Sequence, residues 1–143
     1  DLNIWPYYTI SRLDRWISAE RKVILVGDSA HTIPSIAGQG VNQVFEDVYT
    51  LSILLGNLSV NMNIEKALDF WQGMRQERVD KLYELTLGIN NQRSPSEQLA
   101  KLTKKEVSDT NEDAKGEERK MDWLYGHDWK NEMMNWIEWQ NKT

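Results

Sequence analysis

The stretch Val23-Ile24-Leu25-Val26-Gly27-Asp28-Ser29-Ala30-His31 leads, through Pro34, into Gly38-Gln39-Gly40-Val41-Asn42. It begins as an apolar run, meets an acidic residue, passes a glycine-rich turn and enters a helix. Residues 22–26 lack the alternation of a half-exposed strand, so we predict a strand covered on both faces, as in a parallel sheet. Because open α/β sheets bind their ligands at the carboxyl edge of such strands, we expect a ligand site at this point.

The residue types at this edge suit a ligand that carries hydroxyl groups and negative charge. An ionised Asp28 only accepts hydrogen bonds, as a sugar-like hydroxyl requires. Gly27 has no side chain and allows a ligand to approach the backbone closely. The turn from Gly38 to Gly40 leaves N–H groups free at the positive end of a helix, which favours an anion or developing negative charge.

The composition excludes several classes of protein. The 143 residues are enough for one domain with a real core, and the net charge of -5 argues against nucleic acid or an anionic membrane as partner. No apolar run approaches the length of a membrane span, so we expect none. The absence of cysteine excludes disulfides and thiolate metal sites and is compatible with a reducing compartment such as the cytoplasm.

Three helices are predicted from apolar residues that recur at three and four positions. They cover residues 40–56, a segment from an N-cap at Asn63 to about Ile89, and residues 129–139; a short helical turn at most is expected at residues 13–17. The apolar stripe of the first helix is expected to face the core. That stripe comprises Val41, Val44, Phe45, Val48, Leu51 and Leu55.

The polar residues near these helices receive structural interpretations. Gln43, Glu46 and Asp47 lie mainly across from the stripe. We predict that Glu46 and Asp47 are solvated carboxylates or carboxylates that complement the helix dipole, rather than acid–base catalysts. His31 is interpreted as a packed residue of the loop rather than a catalytic one. Arg75 and Arg78 are interpreted as surface or ion-pair residues rather than substrate anchors, and His127 has no partners for a metal site, so no metal is expected.

Taken together, Gly27-Asp28-Ser29-Ala30-His31, Pro34, Gly38-Gln39-Gly40-Val41-Asn42 and Glu46-Asp47 resemble the second FAD-binding motif of flavoprotein monooxygenases. The resemblance is to the group of para-hydroxybenzoate and salicylate hydroxylases. It implies an α/β fold, the C-terminal part of a Rossmann-like FAD/NAD(P)-binding domain with one core strand followed mostly by α-helices. Residues 1–100 would be a partial FAD-binding domain, residues 101–122 a charged linker and residues 123–143 a tryptophan-rich C-terminal helix.

The resemblance also implies roles for the loop residues. Asp28 would bond the ribityl chain of FAD, Pro34 would lie beside the isoalloxazine ring, and the backbone of Gly38, Gln39, Gly40, Val41 and Asn42 would face its pyrimidine end. NAD(P)H would reduce FAD, and O2 would supply an oxygen atom to a small organic, aromatic substrate. The cofactor supplies that chemistry, so no side chain of the chain is assigned as an acid, base or nucleophile.

The first dinucleotide motif of this family, G-x-G-x-x-G, is not in the sequence. We therefore expect the chain to be the C-terminal portion of such an enzyme, with the missing N-terminal part as its partner. Two alternatives stay open. The chain could be a non-catalytic helical interaction fragment, which the tryptophan-rich end suggests, or part of another flavin enzyme such as an epoxidase or a reductase.

Overall fold

The structure is a computed structural model and describes residues 10–35, 38–60, 62–93 and 123–142. The helices in this part of the chain are α1 (Asp28–His31), α2 (Gly40–Gly56), α3 (Ile64–Arg93) and α4 (Trp129–Lys142). The N-terminal residues 1–9 and the predicted charged linker at residues 101–122 lie outside the described residues.

The strand expected at residues 22–26 is not confirmed. In the described ranges the pairing seen there is one isolated antiparallel bridge between Ile17 and Ile24. The Leu25 N–H donates to the Trp16 carbonyl at 2.8 Å, so the apolar run turns back on the segment just before it. A parallel strand needs neighbouring strands, and the described part of the chain offers none.

The predicted positions of the helices agree more closely with the structure. α2 begins and ends where the sequence places it. The predicted N-cap of α3 is confirmed, because Asn63 Oδ1 accepts the N–H groups of Glu65 at 2.9 Å and Lys66 at 3.3 Å. α3 continues to Arg93, past the predicted end near Ile89, since the residues between carry no glycine or proline.

Three further expectations need correction. The loop predicted for residues 28–40 contains a full helical turn, α1. The short helical turn expected at residues 13–17 is not formed; this segment is irregular, and Ile17 takes part in the bridge described above. α4 extends three residues beyond its predicted end, from Trp139 to Lys142.

The core lies where α2 contacts both α3 and α4. Trp71 of α3 is fully buried, and its indole meets that of Trp16 edge-on at 5.9 Å. Phe70 of α3 stacks on Trp136 of α4, with ring centroids 4.5 Å apart. The C-terminal helix α4 thus packs against α3 through Trp136, and it also contacts α2. Within the described ranges, no helix has both the length and the apolar character to cross a membrane.

α2 shows the largest departure from the sequence prediction. Its polar residues Gln43, Asp47 and Thr50 have no solvent exposure, whereas Val41 is 67% and Phe45 69% exposed. The prediction that the apolar stripe faces the core is therefore wrong for these residues. The physical reason is the set of charged partners that α3 presents to the polar face of α2.

Candidate functional site

The loop that follows the apolar run turns at Gly27. This residue has a φ of 58°, which L side chains rarely adopt. A Cβ at this position would lie 2.6 Å from Val44 Cγ2 of α2, closer than such atoms approach. Glycine is therefore required both by the backbone conformation and by the close approach of α2.

Asp47 of α2 binds the turn at Gly27 through its carboxylate. Its Oδ2 accepts the Gly27 N–H at 2.8 Å and a hydrogen bond from His31 Nε2 at 2.7 Å. Its Oδ1 accepts Arg75 Nε at 2.8 Å. Burial alone would raise the pKa of Asp47, but the His31 hydrogen bond, the charge of Arg75 and the Gly27 N–H together lower it below its usual value. The carboxylate is thus kept ionised beneath the loop.

Two arginines of α3 complete this buried network. Arg75 Nη1 contacts Glu46 at 2.6 Å, and Arg78 Nη2 contacts the same carboxylate at 3.1 Å. The Arg75 guanidinium lies 5.0 Å from the Trp129 ring, and Arg78 lies 4.8 Å from the Trp123 ring. Arg78 also donates to the carbonyls of Trp123 and Leu124. The network therefore ties the loop, α2, α3 and the C-terminal segment together.

These contacts correct two predictions about charged residues. Asp47 has no exposed surface, so it is not a solvated carboxylate, and Glu46 is only partly exposed. Arg75 and Arg78 are ion-pair residues, as one of the two interpretations held, but they are buried rather than on the surface. His31 is 6% exposed and its ring lies 5.0 Å from that of Trp16, so it is a packed residue.

A signal for this network was present in the sequence. Gln43, Asp47, Thr50 and Leu54 follow one another at spacings of four, three and four, which is the period of a single helix face. Arg75 and Arg78 stand three apart on the next helix. Two acidic residues on one helix and two arginines on the next are the complement that a buried ionic contact requires.

The opposite side of the loop faces solvent. Asp28 is exposed at the start of α1, and no hydrogen bond or ion pair joins its carboxylate to another described residue. The Thr32 hydroxyl donates to the Asp28 carbonyl at 2.8 Å, and the Ser29 hydroxyl donates to the Val26 carbonyl at 2.7 Å. The backbone around Asp28 is therefore held, and its carboxylate is left free to accept hydrogen bonds.

The N-terminus of α2 is also open. Gln39 precedes the helix and makes no side-chain cap; its Oε1 instead accepts Asn42 Nδ2 at 2.9 Å. Gly38 has a φ of 64°, and a Cβ placed at Gly38 or at Gly40 would meet no atom of the described residues within 4 Å. The open side of Gly38 and Gly40 thus lies at the positive end of α2.

The predicted site residues fall into two described segments, one on each side of residues 36–37. Asp28 and the half-buried Pro34 lie before residues 36–37, which are outside the described residues, and Gly38, Gln39, Gly40, Val41 and Asn42 follow them. Gln39 is buried, whereas Val41 and Asn42 are exposed. In the described ranges there is no group of three or more metal-ligating side chains.

Comparison with known proteins addresses the loop directly. A family model described as an FAD binding domain matches residues 11–86, which include the whole loop and α2. The chain is 33% identical over 126 residues to the FAD-dependent monooxygenase nodY2 of Hypoxylon pulicicidum, covering 86% of this chain and 25% of that protein. No solved structure matches the present chain.

Two further relatives are similar over shorter ranges. The Notoamide E oxidase notB' of Aspergillus versicolor is 40% identical over 67 residues, which are 47% of this chain and 14% of that protein. The Hispidin-3-hydroxylase of Neonothopanus nambi is 30% identical over 80 residues, or 56% of this chain and 18% of that protein. The chain spans a quarter or less of the length of these three relatives. By the match over residues 11–86, the chain belongs to the FAD binding domain family.

Proposed function

We propose that this chain forms the flavin-facing part of the FAD site in an FAD-dependent monooxygenase. The observation that carries the proposal is the family match over residues 11–86, which spans a loop with a free carboxylate on one side and an open helix N-terminus on the other. In the complete enzyme, residues 22–26 would join the parallel sheet of a Rossmann-like domain. The longer relatives named as FAD-dependent monooxygenases support this view.

The residues of the loop fit FAD by their chemistry. The exposed carboxylate of Asp28 suits the hydroxyl groups of the ribityl chain, because an ionised carboxylate accepts hydrogen bonds only. The open N-terminus of α2 suits the polar end of the flavin ring. Among the described residues, no atom would lie within 4 Å of a Cβ at Gly38 or Gly40, which suits the approach of a ring to the backbone.

The chain's own part in the reaction is to bind, orient and stabilise charge. Bound FAD would supply the redox chemistry, taking electrons from NAD(P)H and delivering one oxygen atom of O2 to a small organic, aromatic substrate. The Gly38 N–H already donates to the Ser35 carbonyl at 2.9 Å, so the backbone from Gln39 to Asn42 would present the N–H groups, and the dipole of α2 would stabilise negative charge near them. Asp47 would keep the loop in place through the Gly27 N–H and His31.

A glycine pair tests the approach of the ring. Gly40→Ala introduces a residue that helices favour, and its methyl group meets no described atom, so the variant should keep the fold. In the proposed site, that methyl group would stand where the flavin ring approaches the backbone. Gly73→Ala on α3 is the matched control, since it is also helical and open. In the complete flavoprotein we expect FAD affinity, measured by quenching of flavin fluorescence, to fall at least tenfold for Gly40→Ala only. Equal affinity for both variants would contradict the proposal.

A carboxylate pair tests the role of Asp28. Asp28→Asn keeps the size of the side chain and removes the charge, and Asp69→Asn makes the same change at an exposed position of α3. The loss of a hydrogen bond to a charged group corresponds to roughly a tenfold to hundredfold weaker binding of FAD. Unchanged FAD affinity in Asp28→Asn would remove Asp28 from the site.

The transcript sequence upstream of Asp1 provides a direct test of the larger enzyme. An in-frame G-x-G-x-x-G motif after a predicted strand is the expected result, since that motif holds the other half of the dinucleotide. Its absence from the message would favour the alternative of a non-catalytic helical interaction fragment. Oxidation of NADH or NADPH by the complete protein, followed at constant O2, would then identify the reductant.

A further inference from the structure

The C-terminal segment, residues 123–142, covers the arginine pair of α3 although it lies outside the family match over residues 11–86. Trp129 of this segment is 8% exposed. Its ring lies 5.0 Å from the Arg75 guanidinium and 5.5 Å from the Arg78 guanidinium. An aromatic face attracts a guanidinium and shields it from water. One side chain of the C-terminal segment therefore serves both arginines.

Arg78 is fixed between this segment and α2. Its Nη2 donates to the Leu124 carbonyl at 2.6 Å, and its Nη1 donates to the Trp123 carbonyl. Its Nε and Nη2 also donate to the carboxylate of Glu46, at 3.3 and 3.1 Å. Because a guanidinium is rigid and planar, the two carbonyls that orient its end also orient the edge that meets Glu46.

Glu46 is shared by the two arginines and continues the contacts toward the loop. Its Oε2 accepts Arg75 Nη1 at 2.6 Å, and Arg75 Nε donates to Asp47 Oδ1 at 2.8 Å. The other oxygen of Asp47 accepts the Gly27 N–H at 2.8 Å. Arg75 and Asp47 have no exposed surface, so each depends on these partners rather than on solvent. The contacts form an unbroken path from the C-terminal segment to the turn that carries Asp28.

We propose that Trp129 and Arg78 are positioning residues for the FAD loop, and that FAD affinity depends on the C-terminal segment through them. The inference rests on the proposed function, because it takes the turn at Gly27 and Asp28 to bind FAD. With the segment in place, the buried ion pairs hold the turn. Without its ring and carbonyls, the guanidiniums would be hydrated and free to rotate. FAD would then bind only the fraction of molecules that keep the turn in place, and its apparent affinity would fall.

Hydrogen exchange in the 143-residue chain tests this path without FAD. The Gly27 amide, which is bonded to Asp47, reports on the turn. The amide of the fully buried Leu82, inside α3, reports on opening of the core. Trp129→Leu keeps an apolar side chain and removes the aromatic face. We expect it to accelerate exchange at Gly27 at least about tenfold more than at Leu82.

Trp136→Leu is the matched control on the same helix. Trp136 stacks on Phe70 of α3, with ring centroids 4.5 Å apart, whereas the rings over the guanidiniums are those of Trp123 and Trp129. The control therefore weakens the packing of α4 and leaves the rings over the arginines in place. Any change in exchange should be the same for the turn amide and the core amide.

The FAD affinity of the complete flavoprotein, measured by quenching of flavin fluorescence, tests the consequence for the site. Trp129→Leu should weaken FAD binding at least about fivefold, the lower end of coupling between sites. Trp129→Phe keeps a ring over the guanidiniums and should restore most of the affinity, and Trp136→Leu should leave it unchanged. If Trp129→Leu does not fold, Arg78→Lys takes its place, because lysine keeps the charge near Glu46 and loses the fork that reaches both carbonyls.

Two results would overturn the proposal. Equal acceleration at Gly27 and Leu82 in Trp129→Leu would show that Trp129 only stabilises the core. Equal FAD affinity of the wild type and Trp129→Leu would show that the C-terminal segment does not act on the site. A wild type without FAD affinity would instead overturn the proposed function, and the exchange at Gly27 would still decide whether Trp129 holds the turn.

Discussion

The two faces of α2 are built on opposite principles. The inner face carries Gln43, Asp47 and Thr50 with no exposed surface, and the outer face carries Val41 and Phe45, each about two-thirds exposed. A simple account of helix burial would reverse the two. The comparison teaches that, in this molecule, the side of a helix that becomes buried depends on what its neighbours can pair with, and not on apolarity alone.

The inner face is satisfied by charge. Asp47 and Glu46 meet Arg75 and Arg78, and the Trp71 indole N–H donates to Thr50 at 2.9 Å. Buried ionic groups of this kind require nearly complete pairing, because an unpaired charge in the interior costs several kcal/mol. The outer face is a contiguous apolar helix surface, and such patches are typical of contact sites.

Asp47→Asn should break the inner face and have the largest effect. It removes one of the two carboxylates that pair with the buried Arg75 and sets an amide against the Gly27 and His31 donors, so we expect the free energy of unfolding to fall by about 3–5 kcal/mol. Urea denaturation measures the loss, with Asp69→Asn at an exposed position of α3 as the control. A loss of less than 1 kcal/mol would mean that the buried pair is not what holds this face.

Leu54 and Leu55 allow a direct comparison of the two faces of α2. Leu54 has no exposed surface, whereas Leu55, the next residue, is 45% exposed. Leu54→Ala should reduce the free energy of unfolding by about 2–5 kcal/mol, and Leu55→Ala by less than about 1 kcal/mol. If thermal and urea denaturation showed equal losses for the two variants, the assignment of the faces would be wrong.

Gly27→Ala tests the junction of the inner face with the loop. The positive φ alone should cost about 1–2 kcal/mol, and the contact of the new methyl group with Val44 adds to it. Adding Val44→Ala should restore the free energy of unfolding that is lost to the methyl contact, but not the free energy that is lost to the positive φ. A double-mutant cycle on the free energy of unfolding separates the two, and no coupling between them would contradict the close approach of α2.

Acid should weaken the inner face through Asp47. The pKa of its carboxyl is lowered in the folded state, so its contribution is fully present above the unfolded value near 4 and is lost as the pH falls through the folded value. The difference in unfolding free energy between the wild type and Asp47→Asn should therefore be constant above about pH 5 and shrink below about pH 4. A difference that stays constant down to pH 2 would contradict the lowered pKa.

Phe45→Ser on the outer face should have the smallest effect on stability. Phe45 is 69% exposed, so the free energy of unfolding should change by no more than about 0.5 kcal/mol. Self-association of the chain, followed by sedimentation, should decrease if the apolar face makes contacts between copies. A loss of several kcal/mol would show that this face is buried in solution.

Local features of the fold could be predicted because they depend on neighbouring residues. The bounds of α2 and the Asn63 cap of α3 follow from periodicity and from a side chain that reaches the next turn. The strand at residues 22–26 could not be confirmed by the same reasoning, because a strand is defined by its partners. In the described residues, that apolar run instead pairs with the segment around Ile17.

For the candidate site, the sequence by itself determined the order of its chemistry: a glycine, an acidic residue, a glycine turn and a helix start, with the positions of the helices around them. Only the tertiary structure decided that Asp47 lies beneath Gly27 and that the polar face of α2 turns inward. Helical periodicity shows that a helix has two faces but does not choose between them. That choice depended on Arg75 and Arg78, which α3 brings from a distant part of the chain to neutralise Asp47 and Glu46.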